Sequence, residues 1–314
     1  MDAEERESAD VAEVSVRIVA LDGFPLGGML YSPRGLQDPS TVALFSCGGG
    51  IPAARYARFA RFLAANRVPV LVFDYRGIGA SRSSGLRGFN AVAEDWSEHD
   101  CGGAIGFLRT KFPNAEIVGI AHSIGTMLLG GAPNVGSISR FVFICAHTGY
   151  YADYLPMYRI PMAFIWHSVM PMLTRLFGYF PARLLGLGED IPAGIAMQWA
   201  ARRSPEFRPE STNPNPKRAN AMIARYQKVR GRVLEIGFTD DAFATRTGAK
   251  RLLAAFPGLQ ATSIEVPPER AGMPEIGHFG FFRRGGESIL WPLVLGFIQE
   301  GGSTLRRATA ALPR

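Results

Sequence analysis

The stretch that most limits how this chain can fold is residues 116–129, which begin as an apolar, β-branched run, meet a cluster of small residues and continue with residues that suit a helix. This order predicts a strand, a sharp turn and a helix, with Ser123 on the turn. Ala121 and Gly125 would let the strand and the helix approach closely, so that the turn lifts the Ser123 hydroxyl clear of the sheet edge. The Ile124 N–H would then lie at the start of the helix, where an anion can be held. The alternative interpretation is a strand–helix junction with an incidental serine, because short motifs recur by chance.

Composition limits the classes of protein to which the chain can belong. Its 314 residues are 47% hydrophobic and 19% charged, which suits one large α/β domain or a core with an inserted subdomain. The net charge is +7, but the arginines are scattered and no basic helix or stripe stands out, so we expect no nucleic-acid partner. The most apolar region, about residues 160–180, is broken by prolines, a histidine and an arginine, so we expect no stable membrane insertion.

Cysteine and histidine spacing predicts neither a disulfide framework nor a metal site. The three cysteines lie far apart without a C-x-x-C spacing, and the five histidines show no ligand spacing. Gly77 and Gly79 match part of a dinucleotide-binding fingerprint, but no third glycine follows at the right distance, so we expect no cofactor. Because the acidic first residues lack the apolar core of a signal peptide and free thiols suit a reducing compartment, we expect a cytoplasmic location.

The order of predicted elements indicates one sheet with an insertion. Over residues 14–31, two strand-like segments on either side of a turn predict a β-hairpin. Predicted strands alternate with predicted helices over 41–145, which indicates a mostly parallel, doubly wound sheet. Over 150–225 there is no clear strand, only proline-separated, aromatic-rich helical pieces and the connector 213–216. The β/α rhythm resumes at 232. The predicted organisation is a core of residues 13–149 and 226–300, a helical insertion over 150–225, and tails at 1–12 and 301–314.

Two further groups can complete the chemistry of Ser123, whose hydroxyl is a weak nucleophile until a base takes its proton. His278 lies in a glycine-flanked loop between the last predicted strand and the last helix. Asp240 and Asp241 follow the end of a predicted buried strand. Taken singly, a histidine among aromatics is more often structural, and two adjacent acids usually form a solvated loop. The order Ser, Asp, His along the chain is nevertheless that of a known triad.

Taken together, these features resemble the α/β-hydrolase family, and most closely its serine-aminopeptidase and monoglyceride-lipase-like branch. Four segments carry the resemblance, in the family order and over roughly residues 14–300 with the lid region excepted: Cys47-Gly48-Gly49-Gly50 with Arg55-Tyr56, Asp74 to Ser81, Ala121 to Gly125, and Thr239-Asp240-Asp241 with Gly277-His278. The resemblance implies the α/β-hydrolase fold, with residues 150–225 as a helical lid over the strand ends. Ala121 departs from the first glycine of the G-x-S-x-G pattern, but alanine is the next smallest residue.

The catalytic roles follow from the resemblance position by position. Ser123 matches the nucleophile and His278 the base. The family acid lies in a D-x-x-x-P spacing, which Asp241 fits with Thr245 in place of the proline, whereas Asp240 comes one residue too early.

The resemblance also implies an oxyanion hole formed by the N–H groups of Gly49 and Ile124. Cys47 replaces the histidine of the family's H-G pair, which leaves the hydrogen bonding of this loop open but removes no backbone N–H. His122 occupies the position of a structural residue. Asp74 and Arg76 are expected to hold their loop rather than to do chemistry.

The function implied is a cofactor-independent serine hydrolase that cleaves an ester, thioester or amide of a small apolar substrate carrying an acyl group. Trp166 and Trp199 are candidates for the substrate pocket, together with Phe164, Phe177 and Phe180, although each can equally pack the lid onto the core. Acyl transfer and carbon–carbon bond hydrolysis use the same triad, and a non-catalytic ligand-binding protein can share the fold. The sequence leaves the oligomeric state open.

Overall fold

A computed structural model of the protein describes residues 10–82, 85–202 and 216–300. Of the expected tails at 1–12 and 301–314, residues 1–9 and 301–314 lie outside the described residues, as do residues 213–215 of the connector 213–216. The strands are β1 Val11–Val19, β2 Pro25–Pro33, β3 Thr41–Ser46, β4 Val70–Phe73, β5 Glu116–His122, β6 Ile138–Ile144, β7 Tyr179–Phe180, β8 Ile191–Pro192, β9 Gly231–Phe238 and β10 Leu259–Val266. The α-helices are α1 Ala57–Ala65, α2 Gly102–Lys111, α3 Gly125–Gly130, α4 Pro156–Phe164, α5 Met170–Phe177, α6 Ala193–Ala200, α7 Pro216–Tyr226, α8 Arg246–Ala254 and α9 Leu290–Glu300.

Eight of the strands form one sheet in the order β1-β2-β4-β3-β5-β6-β9-β10. The hairpin β1–β2 and the pair β2–β4 are antiparallel, and all other pairs of this sheet are parallel. The central strands are buried along nearly their whole length, as expected when helices cover both faces of a parallel sheet. The predicted sheet with its N-terminal antiparallel hairpin is therefore confirmed. The strand that leads to Ser123, β5, lies between β3 and β6.

The helical segment between β4 and β5 includes a π-helical turn, Asp95–Cys101, which continues as α2. Two glycines start α2, and the structure shows a steric reason for the second of them. A Cβ added at Gly103 would lie 2.5 Å from the carbonyl oxygen of Val19, so the helix passes the end of the hairpin at backbone contact.

The segment between β6 and β9, residues 145–230, departs from the sequence-based expectation in two places. The expectation of no strand over 150–225 is wrong, because β7 pairs with β8 in a small antiparallel ribbon. Strands of two residues are too short to produce an alternating pattern. Helix α7 was also missed: its composition is polar, and ion pairs of Arg218 and Arg225 with Glu98 tie it to the π-helical turn.

Two further features of the described structure are its lack of a membrane-spanning helix and the state of its cysteines. Within the described ranges, the structure has no helix long and apolar enough to cross a bilayer. The three cysteines are buried and free.

Candidate active site

Ser123 lies on the turn between β5 and α3 and has a left-handed backbone, with φ of 56°. A non-glycine residue in this region is uncommon and often marks a strained functional turn. The turn is tight because α3 begins against the end of β3: a Cβ at Gly125 would lie 2.4 Å from the carbonyl oxygen of Cys47. Ala121, which replaces the usual glycine, is fully buried in β5. The sharp strand–turn–helix geometry therefore forms with alanine at this position.

Ser123, His278 and Asp241 form a continuous hydrogen-bonded path. His278 Nε2 lies 3.0 Å from Ser123 Oγ, and His278 Nδ1 lies 2.8 Å from Asp241 Oδ2. The other carboxylate oxygen of Asp241 accepts the N–H groups of Phe243 and Ala244 at 2.8 and 3.0 Å. Burial by itself raises the pKa of Asp241, but the imidazole and these two N–H groups outweigh burial and hold the pKa well below its usual range. The ionised carboxylate accepts the Nδ1 proton of His278, so Nε2 is free to accept the serine proton.

Asp240 contacts the backbone of the histidine loop rather than the imidazole. Its Oδ2 accepts the N–H groups of Ile276 and Gly277 at 2.8 and 3.0 Å. Gly277 takes a left-handed φ of 54°, so the chain turns sharply just before His278. The two adjacent acids thus have separate tasks: Asp241 contacts the ring, and Asp240 holds the loop that carries the ring.

The Gly48–Gly49 loop after β3 is tied to the histidine loop through Tyr56 and His122. The Gly48 N–H donates to Tyr56 Oη at 2.9 Å, and Tyr56 Oη lies 3.0 Å from His122 Nδ1. His122 Nε2 lies 3.0 Å from the carbonyl oxygen of His278. Because a carbonyl oxygen can only accept a hydrogen bond, His122 Nε2 is the donor. Burial lowers the pKa of His122 well below its ordinary value, so the ring is neutral and Tyr56 donates to its Nδ1. Tyr56 therefore supplies hydrogen bonding to this loop, in which Cys47 stands where the family has a histidine.

Gly49 and Ile124, the two expected oxyanion donors, lie next to each other. A Cβ at Gly49 would lie 3.0 Å from Ile124 Cγ2. Such a spacing leaves room for a backbone at position 49 but little for a side chain. The structure therefore brings the loop after β3 against the turn that carries Ser123.

His147 is a polar neighbour of Ser123 that the sequence reasoning missed. Its Nε2 lies 2.9 Å from Ser123 Oγ, and its Nδ1 accepts the Gly149 N–H at 3.0 Å. Burial first and His278 second lower the pKa of His147 to about 3. One signal was available: His147 lies two residues past the end of the β/α region predicted over 41–145, and parallel strands that are neighbours end at the same edge of a sheet.

Comparison with known proteins identifies the family. A profile described as the alpha/beta hydrolase family matches residues 43–287, which is most of the chain. The chain belongs to the α/β-hydrolase family. No curated relative matches the sequence significantly. The similarity to solved structures is at the level of the fold.

Three solved structures illustrate this similarity. An esterase of Pyrococcus furiosus is 14% identical, with a TM-score of 0.54, and the alignment covers 97% of this chain and 93% of the esterase. A fungal esterase of Rhizomucor miehei is 15% identical, with a TM-score of 0.54 and coverage of 95% and 88%. DcsB, solved with a substrate analogue, is 14% identical, with a TM-score of 0.63 and coverage of 93% and 100%.

In this α/β-hydrolase, His122, Cys145 and His278 place ligand-type atoms within 4.8 Å of one another. Their chemistry does not fit a metal ion. Both ring nitrogens of His122 are engaged, and His278 Nδ1 faces Asp241. Burial raises the pKa of the Cys145 thiol well above its ordinary value, which keeps the sulfur protonated. The cluster is therefore a by-product of the packing around the path from Ser123 to Asp241.

Trp199 connects the segment between β6 and β9 to the surroundings of Ser123. Its Cζ3 lies 3.4 Å from the position of a Cβ at Gly49, and its Nε1 lies 3.6 Å from that of a Cβ at Gly149. Trp166 packs on Trp199 with ring centroids 5.0 Å apart. Trp199 is therefore in contact with the loops on both sides of the Ser123 turn, while Trp166 lies behind it.

The phenylalanines expected beside these tryptophans differ in their surroundings. Phe164 is 63% exposed, so most of its side chain faces solvent. Phe180 belongs to the buried core, and Phe177 is half-buried. Periodicity and composition do not show which face of a short, proline-broken helix turns inward, so sequence alone did not separate these cases.

Proposed function

We propose that the protein is a cofactor-independent serine hydrolase that cleaves an ester, thioester or amide bond through an acyl-enzyme. The observation that carries this proposal is the unbroken hydrogen-bonded path from Asp241 through His278 to Ser123. In the first half-reaction Ser123 Oγ attacks the carbonyl carbon while its proton passes to His278 Nε2. The imidazolium then protonates the leaving group, and water attacks the acyl-enzyme with His278 again as base. Asp241 keeps the imidazole oriented and stabilises its cationic form.

The N–H groups of Gly49 and Ile124 are proposed to bind the oxyanion of each tetrahedral intermediate. The contact between position 49 and the Ile124 side chain supports this role, since it brings the loop that carries one donor against the turn that carries the other. Loss of one such donor typically costs ~10²–10³ in turnover.

Residues 150–225 are proposed to act as a lid that selects an apolar acyl group or alcohol. The contact of Trp199 with the loops around Ser123 supports this proposal, and Trp166 extends the apolar surface behind it. Burying one methylene gains roughly 0.8 kcal/mol, about fourfold in binding. Two similar folds are named as esterases, which favours an ester among the three bond types. With its three free, buried cysteines, the protein suits a cytoplasmic location.

The proposal is tested with p-nitrophenyl esters of increasing acyl length, assayed in EDTA. We expect turnover that is insensitive to the chelator and a kcat/KM that rises over the first several carbons. Trp199→Ala should flatten this rise, because it removes the aromatic surface that contacts the loops on both sides of the Ser123 turn, and Trp166→Ala should flatten it less.

Three outcomes would count against parts of this account. No hydrolysis of any ester by the folded protein would favour a non-catalytic binding role. Transfer of the acyl group to an added alcohol in preference to water would favour an acyltransferase. A preference for acetate that neither tryptophan variant changes would remove the argument for an apolar pocket.

A further inference from the structure

Ser123 Oγ has two imidazole partners rather than one. His278 Nε2 lies at 3.0 Å and His147 Nε2 at 2.9 Å. The two rings come from different strand ends, since His278 follows β10 and His147 follows β6. The inference drawn from this geometry rests on the proposed function, because it concerns the same nucleophile.

The hydrogen bonding of His147 determines which of its nitrogens carries the proton. The Gly149 N–H is 3.0 Å from Nδ1 and can only donate, so Nδ1 must accept. In a neutral ring the proton then lies on Nε2, which must donate to Ser123 Oγ. Gly149 adopts a φ of 73°, a left-handed conformation that favours glycine, so the chain turns just after the N–H that meets the ring.

The groups around His147 keep the ring neutral at working pH. Burial lowers the pKa of the ring most, and His278 lowers it next by disfavouring a second positive charge; Asp241 acts in the opposite sense, and Arg202 adds the smallest lowering effect. The Arg202 guanidinium donates to the carbonyl oxygen of Thr148, the residue next to His147. With a pKa lowered to about 3, His147 does not serve as a second base near neutral pH.

We propose that His147 is a catalytic residue whose Nε2–H donates a hydrogen bond to Ser123 Oγ while that oxygen acts as the nucleophile. The Ser123 proton goes to His278 Nε2, the new bond forms between Oγ and the carbonyl carbon, and His147 keeps its own proton throughout. The donated hydrogen bond stabilises the negative charge that develops on Oγ as the proton leaves. It also occupies one lone pair of Oγ, so the hydroxyl hydrogen points towards His278.

The matched variants His147→Gln and His147→Met test the role of this donor. The two side chains are similar in length, but the glutamine amide can donate to Oγ and the methionine sulfur cannot. The readout is the second-order rate constant for labelling of Ser123 by a fluorophosphonate probe, measured on variants whose thermal midpoints show that they are folded. We expect His147→Met to slow labelling roughly 10- to 100-fold and His147→Gln to stay within about threefold of the wild type. Because His147 does not titrate near neutrality, the acidic limb of the labelling rate should keep its midpoint in both variants.

The ring itself can be examined independently of activity. Nitrogen-15 NMR of the histidine rings, assigned by comparison with His147→Gln, should show His147 as the neutral Nε2–H tautomer from pH 5 to 9. Protonation of this ring within that range, or a proton on Nδ1, would overturn the proposal.

The labelling outcomes separate this proposal from the proposed function. Labelling of both variants at the wild-type rate, or equal slowing of both, would overturn the role of the Nε2–H donor and leave the serine hydrolase intact. Failure of the folded wild-type protein to label at Ser123 would overturn the proposed function, and this inference with it.

Discussion

At the scale of single residues, two neighbouring strands end in the same unusual way. Ser123 after β5 and Cys145 after β6 both have left-handed backbones, with φ of 56° and 51°. A left-handed non-glycine residue costs of order 1–3 kcal/mol and persists where the surroundings hold it in place. Here the Ser123 N–H donates to the carbonyl of Ile144, and the Cys145 N–H donates to that of Ile236. The sheet therefore holds both turns, and the side chains of Ser123 and His147 meet beyond them.

The two adjacent acids give a prediction at this scale. Asp241→Asn should preserve the fold but present His278 in the wrong tautomer, because an amide in place of the carboxylate can donate to Nδ1. The expected loss in kcat is ~10⁴. Asp240→Asn should be far milder, since the amide oxygen can still accept the N–H groups of Ile276 and Gly277. Parallel kinetics on the two variants check the assignment, and the reverse order of effects would show that Asp240 is the acid of the triad.

At the scale of elements, β9 carries a carboxyl group inside the sheet. Glu235 is 4% exposed and lies opposite Ser263 of β10 in the parallel register. Burial raises its pKa to about 7, and Glu265 adds to this effect. An unfolded glutamate titrates near ~4.3, so between that pH and about 7 the folded chain holds a proton that the unfolded chain has lost. The free energy of unfolding should therefore fall as the pH rises through this window.

Glu235→Gln tests this account because glutamine has the shape of the protonated acid and does not titrate. The variant should lose less stability than the wild type between pH 5 and 8, by at most about 3 kcal/mol. Burial also raises the pKa of Asp100 to about 6, so Asp100 makes the free energy of unfolding fall with rising pH in both the wild type and Glu235→Gln. Urea unfolding at the two pH values gives the comparison, with the exposed Glu269→Gln as control. An equal pH dependence in wild type and Glu235→Gln would contradict a buried, protonated Glu235.

At the scale of the whole molecule, the sequence predicts features that one continuous segment encodes better than contacts between distant segments. The sheet was predictable because each buried strand forms its own apolar run, and the Ser123 turn because small residues separate a strand from a helix. The contact of His147 with Ser123 was not predictable, because it exists only after β5 and β6 lie side by side. Helix α7 was missed for a related reason: its polar composition is stabilised by ion pairs with a distant turn.

The link from Tyr56 through His122 to the His278 carbonyl shows the same limit. Tyr56, His122 and His278 lie far apart in the chain and come together only in the fold, so no sequence spacing predicts their contacts. The family resemblance supplied the order of Ser123, Asp241 and His278, whereas the contacts that orient these groups come from the packing of loops after β3, β6 and β10.

The central claim, that Ser123 is the nucleophile, is tested most directly by locating a covalent adduct. The protein is treated with a fluorophosphonate, digested and analysed by mass spectrometry, with Ser123→Ala and His278→Ala treated alongside. We expect one phosphonyl group per chain on the peptide that contains Ser123, no adduct on Ser123→Ala, and labelling slowed by several decades in His278→Ala. An adduct on another residue, or undiminished labelling and turnover of Ser123→Ala, would contradict the account.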